Sequence, residues 1–483
     1  MMEGLPRRKT KIVATLGPAS STREVIRDLI LAGIDVARLN FSHGSHEDHA
    51  KVLKFVREES EKLGRHVAVM QDLCGPKVRI SDVENGSIEL VEGSIVLLTH
   101  GDHEIGTNQK IFVEAFDPIQ VIKPEERVLL SDGKVELFSG KVTGNSVSCK
   151  VIAGGTVRSR SGISVPDSKL DIPCLTPKDL GDLAWGVKNA VDYVALSFVA
   201  TARDVFTLRD QIRELNGECL VISKLERASA IDEISDIIKA SDAVMVARGD
   251  LGLEIPLERV PHAQQQIIQE ANYLGAPVIT ATQLLMSMVN EVRPTRAEVS
   301  DVYTAVRDGT DAVMLSEETA IGKHPVQVVK VLSRILLEAE QDFQFEEYRP
   351  RLRGADRETV ADAICYAACA AANKVTATAI LACTHSGYTA RLVAKYRPRQ
   401  FLVGATYEKK TLARIALLWG VYPLFFQVRD DFLTEDEVVS VMSAAREVYN
   451  IKPGSRVVIT AGLRAKRPGT TTVMEIREIP RTI

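Results

Sequence analysis

Short apolar runs that end in charged or hydroxylated residues alternate with amphipathic stretches through most of residues 10–345. The runs at 11–16, 36–40, 67–71, 193–198, 219–224, 243–247, 277–281 and 312–315 have the length and composition of buried strands. Most are followed by a segment of helical period, as at 21–32, 46–63 and 201–215. Strand–helix alternation of this kind builds parallel βαβ units. Eight such strands match a closed (β/α)8 TIM barrel, in which chemistry sits at the C-terminal strand ends.

One crossover is far too long for a single helix. Between the third and fourth strands the texture changes to short segments rich in Val, Ile and Gly, and residues 144–152 alternate with period two. This predicts a small all-β domain, a β-barrel lid over residues 77–171, inserted into a catalytic barrel made of 1–76 and 172–345. A charged, proline-containing stretch at 346–355 then separates the barrel from a new alternation. There, helices at 359–374, 388–396, 410–418 and from 435 interleave with strands at 378–383, 401–405, 422–426, 456–460 and 472–476. They predict a C-terminal open α/β domain, residues 355–483.

Composition narrows the functional classes. Hydrophobic residues make up 45% and charged residues 26% of the 483, ordinary for a globular protein. A net charge of −4 supplies no basic field for nucleic acid. No apolar run is long enough to cross a bilayer, and no apolar core follows the basic N-terminal residues, so neither a membrane span nor a secretory signal is expected. The seven cysteines lack metal-site spacing and are expected to be reduced and buried. The expected location is the cytoplasm.

Chemistry enters at the strand ends. Ser223-Lys-Leu-Glu226 and Arg248-Gly-Asp250 deliver one lysine and two carboxylates to the tips of neighbouring strands. Glu226 and Asp250 are oxygen donors suited to a hard cation such as Mg²⁺ or Mn²⁺. Lys224 beside this carboxylate pair suits chemistry in which a divalent metal and a transferring anionic group share one pocket, so its loss is expected to harm turnover more than binding. The plainer alternative is an ion pair of these acids with Arg248 or Lys224. Arg38, Asn40 and Ser42 share one face by period two, and the Arg38 fork suits a phosphate. Gly249 and Asp250 open the segment after the sixth strand, where backbone N–H groups and the absence of a β-carbon let a carboxylate approach closely.

These segments resemble the pyruvate kinases. Thr15-Leu-Gly-Pro-Ala-Ser20, Ala37-Arg-Leu-Asn-Phe-Ser-His-Gly44, Asp72-Leu-Cys-Gly-Pro-Lys77, Ile222-Ser-Lys-Leu-Glu226 and Met245-Val-Ala-Arg-Gly-Asp-Leu-Gly252 stand in the family's order. Thr280-Ala-Thr-Gln283, Arg293-Pro-Thr-Arg-Ala-Glu-Val-Ser-Asp301 and Met314-Leu-Ser-Glu-Glu-Thr-Ala320 continue the series. The resemblance implies phosphoryl transfer from phosphoenolpyruvate to ADP, giving pyruvate and ATP in the last step of glycolysis. It implies that Glu226 and Asp250 hold the divalent metal, that Thr282 contacts substrate, and that Asn40, Phe41, Ser42, His43 and Arg79 meet the nucleotide. His43 also reads as a hydrogen-bonding structural histidine. The proton reaching the enolate carbon is assigned either to a water relay through Thr282 and Ser316 or to Lys224.

Departures from the family pattern carry their own expectations. The family's monovalent-cation site maps to Asn40, Ser42, Asp72 and the Leu73 carbonyl, but Lys77 stands where many relatives have Glu. Its ammonium can supply the charge K⁺ would bring, so little K⁺ requirement is expected; a solvent-facing lysine is the alternative. Leu73 and Cys74 replace the usual Thr and Lys. Ser161 replaces a lysine that approaches ATP, with Arg160 as a candidate substitute, and Glu317 adds a carboxylate without an assigned role.

In the C-terminal domain, Thr384, Ser386, Gly387 and Thr389 lie at a strand-to-helix junction suited to an anion. The family binds a phosphorylated effector there; Lys466 and Arg467 add charge, and helix capping is the alternative reading. The family is usually homotetrameric. Two other functions fit parts of the pattern: a metal-dependent aldolase or lyase with no need of ADP, and a silent effector-binding protein, whose signature would be a degraded Lys224, Glu226 or Asp250.

Overall fold

A computed structural model describes residues 8–101, 104–114, 117–168, 172–343, 359–427, 434–462 and 471–481. Eight parallel strands close into a barrel: Lys11–Leu16, Val36–Asn40, Ala68–Asp72, Tyr193–Leu196, Leu220–Leu225, Ala243–Ala247, Val278–Ala281 and Ala312–Leu315. The first strand pairs with both the second and the eighth, which closes the ring. Strand ends differ from the sequence expectation by one or two residues. The fourth strand stops at Leu196 because Phe198 turns to a positive φ of 57°.

Period-two alternation decides what faces inward. Val13, Val36, Met70, Ala195, Ile222 and Met245 fill the barrel interior, while their chain neighbours Ile12, Ala37, Val69, Val194, Val221 and Val244 pack outward against the helices. Continued to the C-terminal ends, the inward parity reaches Thr15, Arg38, Asp72, Ser197, Lys224 and Glu226. The barrel's own packing periodicity therefore gathers the polar side chains at one mouth. The outer helices start on side-chain caps: Thr22, Ser45, Thr176 and Thr295 each accept a first-turn N–H.

Among its described residues the insertion holds strands and two short 3₁₀ helices, Glu84–Gly86 and Pro118–Gln120, but no α-helix. Seven strands, from Arg79–Ile80 to Ile163–Ser164, form one sheet. Its two edges meet through Ile163 N–H to Val78 O (3.1 Å) and Ile80 N–H to Ser161 O (3.0 Å), so the sheet rolls into the expected small barrel around Val96, Leu98, Val128, Leu137 and Val147. The C-terminal domain is a five-stranded sheet, ordered Val421–Phe425, Phe401–Thr406, Ala379–Cys383, Arg456–Gly462 and Thr471–Glu478, with only the last strand antiparallel. Its helix expected at 410–418 is a short helix Lys409–Arg414 running into a 3₁₀ turn, Ile415–Leu417. Leu417 packs into the cluster that lines the barrel interior. The stretch 346–355 lies outside the described residues. Among the described residues no helix is long and apolar enough to cross a membrane, and no cysteine forms a disulfide.

Candidate active site

Lys224, from the end of the fifth strand, is the centre of the barrel mouth. Its Nζ lies 3.5 Å from Asp72 Oδ1 and 3.4 Å from Glu226 Oε2, and it donates a hydrogen bond to Ser197 Oγ at 2.7 Å. Burial alone would depress this ammonium, but the fields of Asp72, Glu226 and Asp250 outweigh it and hold the group above the usual lysine range. Burial also works against ionisation of Asp72, yet Lys224 and Arg38 keep it below the ordinary carboxylate value. Glu226 moves the other way. Burial and the charge of Asp250 push it up to about 7, against the pull of Lys224.

Arg38 is held in place rather than loose. Its Nε lies 2.7 Å from Asp72 Oδ2, and Nη1 donates to Thr15 Oγ1 at 2.9 Å. Thr15 in turn donates to Leu315 O at 2.8 Å. Two oxygens in this cluster, Asp72 Oδ1 and Glu226 Oε2, are buried and accept no hydrogen bond. Buried carboxylate oxygens without donors are costly unless cations meet them, and the Lys224 ammonium stands near both, at 3.5 and 3.4 Å, without a hydrogen bond to either. The donor set thus fits a divalent metal: Glu226 and Asp250 both line the cleft between barrel and lid, with Lys77, Asp132, Phe198 and Glu254 among its other walls. Two protein carboxylates, completed by substrate oxygens and water, is the usual way Mg²⁺ is held. Of the plainer pairings, the ion pair of Glu226 with Lys224 is present at 3.4 Å, while Arg248 drops out: it binds Asp301 at 2.7 Å and the carbonyls of Ala281 and Thr282.

The remaining expectations divide. Thr282, at a positive φ of 67°, reaches the mouth, and its Oγ1 accepts the Gly249 N–H at 2.8 Å. That N–H is engaged by Thr282 here, so what Gly249 offers a carboxylate is the space left by its missing Cβ. Ser316 follows the eighth strand, half-buried, with its N–H on Glu318 Oε2 at 2.7 Å. Asn40 accepts the Ser42 N–H at 3.1 Å, and His43 is exposed, its carbonyl accepting from His49 Nε2. Phe41 is different. Its ring is buried against His49 and Trp185, and its N–H and carbonyl are bonded to Asp72 O and to Lys178. It shapes the loop from behind and presents no group to a nucleotide.

On the lid side, Arg79 donates to the Arg160 carbonyl at 2.9 Å. The Arg160 guanidinium is engaged with Asp82 and Glu114, so it does not take the place of the missing lysine. Ser161 hydrogen-bonds Ser131 within the lid. Lys77 is one-third exposed and sits 3.3 Å from Asp132 Oδ1, while the Leu73 carbonyl accepts Ser197 Oγ–H at 2.8 Å. Glu317 is exposed at the start of a short helix. In the C-terminal loop, Gly387 adopts φ 93° and donates to Thr384 Oγ1, Thr389 bonds Thr471, and Ser386 is exposed. Gly387 is the N-cap of the helix that follows, and the Thr384 hydroxyl takes its N–H, in keeping with a capping role for that one hydroxyl. Lys466 and Arg467 lie outside the described residues.

The sequence assigned no role to Ser197, Thr15, Glu318 or Asp179. Buried Asp179 anchors the loop after the third strand by accepting the Gly75 N–H at 3.1 Å. Ser197 and Thr15 were findable, since strand parity points both inward; Glu318 bridges two loops and shows itself only in three dimensions.

The sequence profile "Pyruvate kinase, barrel domain" matches residues 7–329, and "Pyruvate kinase, alpha/beta domain" matches residues 362–477. The chain is similar to the pyruvate kinase of Clostridium acetobutylicum, at 38% identity over 474 residues, covering 98% of this chain and 100% of that protein. With the pyruvate kinase of Geobacillus stearothermophilus the identity is 40% over 477 residues, 98% of this chain and 81% of that one. A crystal structure of a pyruvate kinase from Cryptosporidium parvum superposes with a TM-score of 0.92 at 33% identity, covering 98% of this chain and 97% of that one.

Proposed function

The chain belongs to the pyruvate kinase family, and we propose that its barrel mouth performs the family's reaction with Lys224, Arg38, Glu226 and Asp250 as the working groups. The protein is a phosphotransferase that moves the phosphoryl group of phosphoenolpyruvate to ADP, giving pyruvate and ATP in the last step of glycolysis. The observation that supports these residue roles is the ammonium of Lys224, kept charged beside two buried carboxylates whose facing oxygens lack donors.

The family uses a divalent metal; we assign it as Mg²⁺ or Mn²⁺ on Glu226 and Asp250. When bound, it supplies charge stabilisation to phosphoryl oxygens. The chain's own groups do the rest. Arg38, braced by Asp72 and Thr15, clamps the phosphate with a planar fork. Lys224 faces charge that grows on the phosphoryl group in flight and on the enolate oxygen left behind, where a fixed ammonium acts most strongly. Thr282 and Ser316 flank the carbon that must gain a proton, by a water relay or from Lys224. Asn40, Ser42, His43 and Arg79 meet the nucleotide, with Arg79 carried in by the lid.

Lys77 lines the same cleft, and its charge supports activity with little K⁺ requirement at Asn40, Ser42, Asp72 and Leu73. A phosphorylated effector at Thr384, Ser386, Gly387 and Thr389, a homotetramer and a cytoplasmic location complete the reading. A coupled assay of pyruvate formation is the test. Product should require both ADP and the divalent metal, and tetramethylammonium chloride in place of KCl should leave the rate largely intact. Pyruvate release without ADP would point to a lyase instead, and collapse in tetramethylammonium would refute the role of Lys77.

A further inference from the structure

The tip of the fourth strand has no part in the roles assigned above, yet it touches both halves of the catalytic pair. Ser197 is buried, and its hydroxyl sits in a chain of hydrogen bonds: Lys224 Nζ donates to Ser197 Oγ at 2.7 Å, and Ser197 Oγ donates to the Leu73 carbonyl at 2.8 Å. The next residue, Phe198, donates its backbone N–H to Glu226 Oε1 at 2.6 Å. It does so from a positive φ of 57°, a conformation that disfavours a bulky side chain and persists only where the surroundings impose it. The surroundings here are the loop after the third strand. A Cβ on Gly75 would lie 2.8 Å from the Phe198 ring and 2.9 Å from Ser197 Cβ, so only glycine lets the two loops close on each other.

We infer that Ser197 is a positioning residue for the reaction, one that holds the Lys224 ammonium away from Glu226 Oε2, the oxygen of that carboxylate without a hydrogen-bond donor. The physical reason is the balance of attractions around Nζ. Asp72 Oδ1 and Glu226 Oε2 lie at 3.5 and 3.4 Å, lack other donors, and draw the ammonium towards themselves. Ser197 Oγ is the near partner, and it cannot rotate away without giving up the Leu73 carbonyl. The hydroxyl thus sets where the positive charge stands, while the Phe198 N–H pins the other oxygen of Glu226. Without the hydroxyl, the ammonium moves towards these two carboxylates, where it is misplaced for the phosphoryl group and, on Glu226, in competition with the metal.

This inference rests on the phosphotransfer reading, so the experiment compares variants with an active wild type and adds a measurement that needs no turnover. In Ser197→Ala, kcat should fall about tenfold to a hundredfold, the rate equivalent of one hydrogen bond to a charged group. The KM for phosphoenolpyruvate should stay within about threefold, because Arg38 is untouched. Titration of the substrate-free protein with Mn²⁺ should show weaker binding, by about threefold or more. Ser197→Thr, which keeps the hydroxyl, should recover most of kcat. A Ser197→Ala enzyme with wild-type kcat and Mn²⁺ affinity overturns the inference. So does equal loss in the Ala and Thr variants with lowered melting temperatures in both, since packing rather than the hydroxyl would then be at fault.

Discussion

Glu318 shows how a single buried acid can organise a site without facing it. Its two oxygens accept the N–H groups of Ser316 (2.7 Å) and Leu285 (3.1 Å), so one carboxylate ties the loop after the eighth strand to the loop after the seventh. Burial lifts its pKa above the ordinary 4.5, outweighing those hydrogen bonds. The folded state therefore holds the proton to higher pH than the unfolded chain, and stability is lost as pH climbs from about 4.5 through the raised folded value. Glu318→Gln cannot ionise. Its melting temperature should gain on that of the wild type as pH rises from about 5 to 8; parallel curves would show that the acid does not titrate in this range.

At the scale of the element, the strand ends are where local preference yields to the site. Thr282 and Gln283 follow the seventh strand with φ of 67° and 54°, as Phe198 follows the fourth. At Thr282 and Phe198 the turn brings a hydroxyl or an N–H onto a neighbouring strand tip. The helix Arg248–Glu254 starts directly at the sixth strand and is fastened by the Gly249 N–H on Thr282. A Cβ on Gly249 would rest 3.5 Å from Thr282 Oγ1, an ordinary contact, so the fold should tolerate it. The substrate should not. Gly249→Ala is expected to raise the phosphoenolpyruvate KM about tenfold by crowding the carboxylate, with the denaturant midpoint unchanged. An unaltered KM would place the substrate elsewhere on the rim.

Across the whole molecule, the two ends of the barrel do different work. The C-terminal mouth carries the carboxylates and the lysine, whereas the opposite end is sealed by the C-terminal domain. There Arg397, almost fully buried, binds Asp311 at 2.7 Å and Asn272 at 2.9 Å, and Lys11 donates to the Val421 carbonyl at 2.7 Å. Removing one partner of a buried pair leaves the other uncompensated. Arg397→Ala should cost about 3–5 kcal/mol in urea unfolding while leaving the barrel mouth chemically intact. A loss below about 1 kcal/mol would mean that water or a neighbour satisfies Asp311.

Strand count, insertion and the inward parity of Arg38, Asp72, Lys224 and Glu226 were legible in the chain, because alternation in a barrel strand is a local property and the charged tips follow it. The motifs carried the family with them. What the sequence left open depends on which loops meet. The burial of Phe41, the diversion of Arg160 to Asp82 and Glu114, the Gly249–Thr282 bond and the Ser197 link between Lys224 and Leu73 all join residues from different strands or loops. Such contacts are set by packing geometry and by the need to satisfy every buried polar atom, which no stretch of chain can meet from its own residues.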